Sequence, residues 1–228
     1  ERWYGTIPRG PEPPLQPLAT PTLEREHRLV LEDAVQLPRL YLAWPSTARY
    51  APADAALEAL AGVLAGGKNS RLYRRLVFEM EIAQDVAAFL GGDLLAGEFY
   101  VIASARPGVD LNRVEAVIAE ELAAIQAEAP GARELQRVVN GVEASFLDGL
   151  ETVDGFRGKA DQRNSYLFFT GTPDYIEEDL ARYRALAPRD LSDTALTFLT
   201  DRRVALSIVP EGGTDLGLDG SETAVPLF

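Results

Sequence analysis

The chemistry open to this chain is limited by the few reactive side chains it has. His27 is its one histidine, and there is no cysteine. A general base needs a group that orients it and a nucleophile or water within reach. His27 lies between Glu26 and Arg28 in an alternating run, with no such partner signalled, and reads as an exposed strand residue. One imidazole and no thiol exclude disulfides, cysteine nucleophiles and zinc sites built from several His or Cys ligands. The serines (Ser46, Ser70, Ser104, Ser145, Ser165, Ser192, Ser207, Ser221) share that one histidine, and none sits in a G-x-S-x-G elbow. Glu120-Glu121 and Glu177-Glu178-Asp179 lack the loop spacing that gathers oxygens around calcium. Both clusters fall in helical stretches, where neighbours point about 100° apart, and both read as solvated faces. Gly66-Gly67-Lys68-Asn69-Ser70 ends like a phosphate loop but lacks its first glycine and follows a helix instead of a strand. It reads as a corner between helices.

The elements around these residues follow from periodicity. Arg25 to Glu32 and Leu37 to Trp44 read as strands, the second closed by Pro45. A helix from about Ala53 carries Leu57, Leu60, Val63 and Leu64 and stops at Gly66-Gly67. Asn69 or Ser70 is placed to cap a second helix bearing Leu72, Tyr73, Leu76 and Val77. Asp85 to Leu90 and Glu98 to Ala105 predict a hairpin across GGDLLAG. Two apolar stripes follow at helical spacing: Val114, Val117, Ile118, Leu122 and Ile125, then Leu135, Val138, Val139, Val142, Phe146 and Leu150. Helices are expected over 156–169, 174–185 and 188–199, and a last strand over 203–209. Clustered rather than alternating helices and strands give an α+β fold. The expected architecture is a two-layer sandwich, a mixed, mostly antiparallel six-stranded sheet with helices on one face.

Composition sets wider bounds. The chain has 228 residues, 22 basic against 35 acidic, and a formal net charge of −13. Nucleic-acid and anionic-membrane surfaces need the opposite sign, so neither partner is expected. No run reaches the length of a membrane span. Residues 1–24 read as the end of a preceding domain followed by a proline-rich linker, 25–210 as the α+β domain, and 211–228, without periodicity, as a mobile tail.

Several phrases, in order, resemble the pitrilysin-type zinc metallopeptidases, the family of mitochondrial processing peptidase and insulin-degrading enzyme. GGKNSRLY at 66–73, running into RRLVFEMEIAQDV, is the nearest match. ERWYGTIPRGPEPP resembles the phrase closing the family's first domain, and LPRLYLAWP the inner strand of the next. RPGVDL, a long acidic helix, ELQRVVNGVEASFLDGL and GKADQRNSYL follow the family's run of helices. The resemblance implies a tandem architecture, one half holding zinc on an H-x-x-E-H helix and the other metal-free. This chain has no H-x-x-E-H, so it matches the metal-free half, with zinc in a partner half in the same chain or on another subunit. In many members that half offers an arginine and, seven residues on, a tyrosine to the substrate carbonyl. Aligned on Ser70-Arg71-Leu72, those positions hold Val77 and Gln84. Neither functional group is present; Arg74 and Arg75, one turn earlier, are candidate substitutes.

Three readings follow. The chain encloses and binds extended peptide while a zinc-bearing half hydrolyses it; or it is an inert scaffold or assembly subunit of the same fold; or it is an unrelated α+β enzyme using carboxylates. The resemblance also implies a bacterial periplasmic location, while the absence of cysteine is equally compatible with cytosol.

Overall fold

The computed structural model of the chain describes Trp3 and residues 5–11, 22–153, 155 and 158–224. The expected proline-rich linker falls largely on 12–21, and the end of the tail on 225–228; both lie outside the described residues. Strands β1 (His27–Asp33), β2 (Arg39–Ser46), β3 (Ala83–Gly92), β4 (Gly97–Ala105), β5 (Val204–Pro210) and β6 (Glu222–Thr223) form one sheet in the order β3-β4-β2-β5-β1-β6. The β3–β4, β4–β2 and β2–β5 ladders are antiparallel, while β1 runs parallel to β5 and β6. The fold is α+β with a mixed sheet, as its sequence pattern indicates.

One face of the sheet carries the core. In β2, Leu40, Leu42 and Trp44 are buried, and Phe99, Val101 and Ala103 of β4 match them on the same side. Against this face pack α1 (Asp54–Ala65), α2 (Leu111–Ala127) and α6 (Pro188–Phe198). Asp110 caps α2 by accepting from the Asn112 N–H at 2.7 Å, and Pro188 opens α6 with the fixed φ a first turn needs. The α2 stripe is buried at all five expected positions. The remaining helices, α3 (Ala132–Gly149), α4 (Lys159–Thr170) and α5 (Ile176–Arg184), form the outer part of the helical layer.

Several sequence expectations are corrected. Pro45 does not close the second strand, which runs on to Ser46 with both residues paired to β4. Residues Tyr73–Glu79 form a π-helix instead of an α-helix, marked by the Met80 N–H reaching back five residues to Arg75 O at 2.9 Å. Ser70 does not cap it: its hydroxyl donates to Gly67 O at 2.6 Å, and Gly67 takes a φ of +88° that favours glycine. The segment 211–224, expected to be mobile, is packed. Leu218 is buried in the core, the Leu218 N–H donates to Ser207 Oγ at 3.1 Å, and the Ala224 N–H donates to Val30 O at 2.8 Å. One apolar anchor and a two-residue strand suffice to hold a segment that has no periodicity to reveal it.

The acidic clusters are also less solvated than their spacing indicates. Glu177 and Glu178 are exposed, but Asp179 is buried against Arg182, and Glu121 is half-buried against Arg75 at 3.1 Å.

Candidate functional site

Among the described residues no helix covers the second face of the sheet. Side chains alternating with the core residues emerge there: Tyr41 and Ala43 of β2, Tyr100 and Ile102 of β4, Leu206 and Ile208 of β5, and Leu29 and Leu31 of β1. All are half-buried, shielded mainly by one another. Antiparallel sheets normally show polar residues on a solvated face, so an apolar one is a surface built to be covered or to hold a ligand. Phe89 of β3 adds an exposed ring stacked on Tyr100, with centroids 5.1 Å apart.

One corner of this face is polar. Asp33, Gln36, Arg39, Gln84, Asp85 and Ser104 are among the residues that surround a shallow hollow of about 510 Å³. Arg39 Nε donates to Ser104 Oγ at 2.9 Å, and Ser104 Oγ donates to Asp85 Oδ1 at 3.1 Å. A guanidinium and a carboxylate are thereby held on neighbouring strands through one buried hydroxyl. The Tyr41 hydroxyl, 3.4 Å from Arg39 Nη1, helps to hold the Arg39 pKa above its ordinary value, against a smaller desolvation effect.

Gln84 lies at the rim of this hollow because β3 is irregular there: the register shifts between Ala83 and Asp85. A bulge of this kind re-aims one side chain and bends the strand. β3 is also the edge of the sheet, pairing with β4 and with no other strand among the described residues, so one side of its backbone is available to an extended chain. Val77 is elsewhere. It sits half-buried on the π-helix and packs against the core. The two positions matched to the family's arginine and tyrosine are therefore not brought together: one lines the hollow and the other faces inward.

The arginines near them are engaged. Arg75 pairs with Glu120 at 2.8 Å and Glu121 at 3.1 Å, and exposed Arg74 pairs with Glu79 at 3.2 Å. Arg71, within the matched SRLY phrase, makes two parallel bonds of 2.9 Å to the Glu134 carboxylate, which also accepts from the Gly131 N–H at 2.8 Å. It ties the start of the π-helix to the start of α3. His27 is exposed at the beginning of β1. Among the described residues no group of three His, Cys, Asp or Glu side chains converges as a metal site. With one histidine and no cysteine in the chain, the donor set does not fit zinc.

The Glu134 pair gives a pH-dependent expectation. Arg71's hydrogen bonds, opposed by burial and helped by the Gly131 N–H, hold the Glu134 pKa below the ordinary carboxylate value. A depressed carboxylate stabilises the fold above its unfolded pKa, and that contribution is lost as pH falls through the folded value. Glu134→Gln is therefore expected to lower stability at pH 7 by about 1–2 kcal/mol, with the gap to wild type closing below about pH 4. Urea unfolding at a series of pH values checks this, and a constant gap would contradict it.

The sequence profile of the family described as Peptidase M16 inactive domain matches residues 1–142. The chain belongs to the M16 peptidase family, as its inactive domain. No curated protein matches it. Solved structures share the fold at low identity. A protease from Helicobacter pylori superposes with a TM-score of 0.75 at 19% identity, over 83% of this chain and 46% of that one. The inactive peptidase domain of a candidate zinc protease from Bordetella parapertussis gives 0.67 at 20% identity, over 78% of this chain and 94% of that one. The periplasmic protease PqqL from Escherichia coli gives 0.65 at 15% identity, over 89% of this chain and 22% of that one. This M16 domain thus spans about half the length of the Helicobacter protein.

Proposed function

We propose that this M16 inactive domain is the metal-free half of a zinc metallopeptidase and that its open sheet face forms one wall of the chamber in which extended peptide is held. The observation that carries the reading is the uncovered apolar face of the sheet, flanked by the unpaired edge of β3. Extended peptide adds to such an edge through main-chain hydrogen bonds and needs no special side chain for affinity. Arg39, Gln84 and Asp85 at the hollow would meet the peptide's polar groups. Zinc and the water it activates belong to the partner half, in the same polypeptide or on a second subunit. This chain's part is to bind and orient the substrate and to exclude bulk water. A periplasmic location is supported by the likeness to PqqL; no helix of the described residues is long and apolar enough to cross a membrane.

The inward position of Val77, with no hydrogen-bonding group, favours a second reading, that the domain is a scaffold with no contact to the substrate carbonyl. One assay separates the two. An unfolded basic peptide is offered to this chain alone, to an H-x-x-E-H half alone and to both together, with and without chelator. Cleavage only by the combination, abolished by chelator and weakened by Arg39→Ala, is expected. Full activity of the zinc-bearing half without this chain would favour the scaffold.

A further inference from the structure

The helical layer, on the face opposite the proposed peptide wall, contains a second cavity. About 470 Å³ in volume, it lies between α1, α3, α4 and α5, within the range that small-molecule sites occupy. It begins where α1 and α3 touch: a Cβ on Gly62 would stand 2.7 Å from Val138 Cγ1. Beyond that contact the walls separate. Val138, Val142 and Phe146 of α3, four residues apart, form an apolar rail along one wall, about 12 Å long at the helical rise per residue.

The charges around the cavity are unevenly satisfied. Asp54 and Asp179 are both paired with Arg182, Glu58 accepts from the Tyr183 hydroxyl, and Asp161 is itself engaged. The cations are different. Arg28, Arg71, Arg75, Arg182 and Arg203 each have a carboxylate within 4.0 Å, in keeping with the chain's acidic excess. Arg49 and Arg137, both lining this cavity, have none among the described residues. Arg49 lies over the rings of Tyr50 and Phe169 at 5.3 and 5.4 Å. Arg137 donates through Nη1 to Asn69 O at 3.3 Å, but its Nη2 is buried without a partner. Gln162 Oε1, on the opposite wall, is also buried and unpartnered. Buried donors are almost always met by protein, water or ligand. A guanidinium at the cavity wall without a carboxylate partner, beside an apolar rail, is complementary to an anion carrying an aliphatic chain.

We propose that this cavity binds a linear aliphatic carboxylate of medium chain length, with its carboxylate on Arg137 and its chain along Val138, Val142 and Phe146. Bound this way, the head group meets the Arg137 guanidinium at the cavity wall, which has no carboxylate partner among the described residues, and the chain covers the rail, while the acids of the cavity stay with the partners they have. The site does not depend on the peptide-binding reading, since it uses the other side of the molecule.

Isothermal titration of the 228-residue chain with decanoate, below its micellar range, tests the proposal. Saturation at one decanoate per chain is expected, with decylamine of the same length binding about tenfold or more weakly. Arg137→Gln should weaken decanoate by a similar factor, while Arg75→Gln, a surface ion-pair arginine, should leave it unchanged. A Cβ at Gly141, which lines the cavity, would meet nothing within 4 Å. Gly141→Leu should therefore fill the space and abolish binding while the thermal midpoint is kept, a control that does not disturb the arginine. Equal binding of decylamine, undiminished binding by Arg137→Gln or by Gly141→Leu, or no decanoate binding at all would each overturn the proposal. The last result would mean that the cavity holds water only.

Discussion

Arg182→Ala is expected to lower the stability of the domain by about 3–5 kcal/mol, the cost typical of breaking a buried ion pair from one side. Arg182 on α5 donates through Nη1 to Asp54 Oδ2 at 3.0 Å and through Nε and Nη2 to Asp179 Oδ1. Both aspartates are only 4% exposed, so the arginine is the partner that offsets most of their lost hydration. The Tyr166 hydroxyl, donating to Asp179 Oδ2 at 2.9 Å, is the remaining partner. The guanidinium also lies 5.0 Å from the Tyr50 ring centroid and 5.7 Å from that of Tyr183, contacts that vanish with it. Tyr50 itself holds a φ of +61°, a conformation that costs a non-glycine residue energy and persists where its surroundings fix it. Arg182→Lys keeps the charge but not the fork, and should recover only part of the loss. Arg189→Ala, removing an exposed i,i+4 partner of Asp193, should stay within about 0.5 kcal/mol of wild type. Urea midpoints at constant m-value decide it; a loss below about 1 kcal/mol for Arg182→Ala would show that the aspartates rehydrate and that the cluster does not hold α5 against α1.

Much of this arrangement is legible in the sequence, and the parts that are not have a common cause. Alternation in LPRLYLAW and the stripe from Val114 to Ile125 report local geometry, and both are found, although β2 begins at Arg39 and runs past Pro45 to Ser46. The α3 stripe is only half informative. Leu135 and Val139 enter the core, but Val138, Val142 and Phe146 face the cavity. A 3.6-residue period records that a face is apolar, not what it meets. The π-helix is invisible for a similar reason. Leu72, Tyr73, Leu76 and Val77 suit an α-helix, and the widened turn shows in the structure as a five-residue bond such as that from Met80 back to Arg75. Asp179 follows Glu177 and Glu178 in an apparently solvated run, and nothing local announces that Arg182 and Asp54, 128 residues apart, enclose it. Family spacing points to Gln84; its place on a bulge of the edge strand is set by pairing with β4, which a single sequence does not encode at that resolution. Long-range pairings decide each of these positions, whereas composition and period decide the class of fold.

Trp44→Ala is expected to have an effect of similar size, about 3–5 kcal/mol, for a different reason. The residue is 1% exposed at the centre of the sheet. Its ring meets Phe99 of the neighbouring strand edge-on, with centroids 6.3 Å apart and planes at 66°, and Arg203 sits 5.5 Å from its centroid. The indole N–H donates to Thr200 O at 2.7 Å, at the turn between α6 and β5. One side chain thus fixes the core face of β2 and the entry of β5, the two strands that carry Tyr41, Ala43, Leu206 and Ile208 on the open side. Trp44→Phe separates the contributions. It keeps most of the packing but leaves Thr200 O without its donor, and should cost about 1–2 kcal/mol. If Trp44→Phe cost as much as Trp44→Ala, the hydrogen bond, and not the volume, would be holding the corner. If Trp44→Ala lost less than about 1.5 kcal/mol, the surrounding core would have to collapse into the space, and the register of the open face would move with it. The proposed peptide wall therefore makes a further demand of this variant. Destabilised but folded Trp44→Phe protein should still complement an H-x-x-E-H half, because the side chains of the open face come from the alternate positions and are untouched by the substitution.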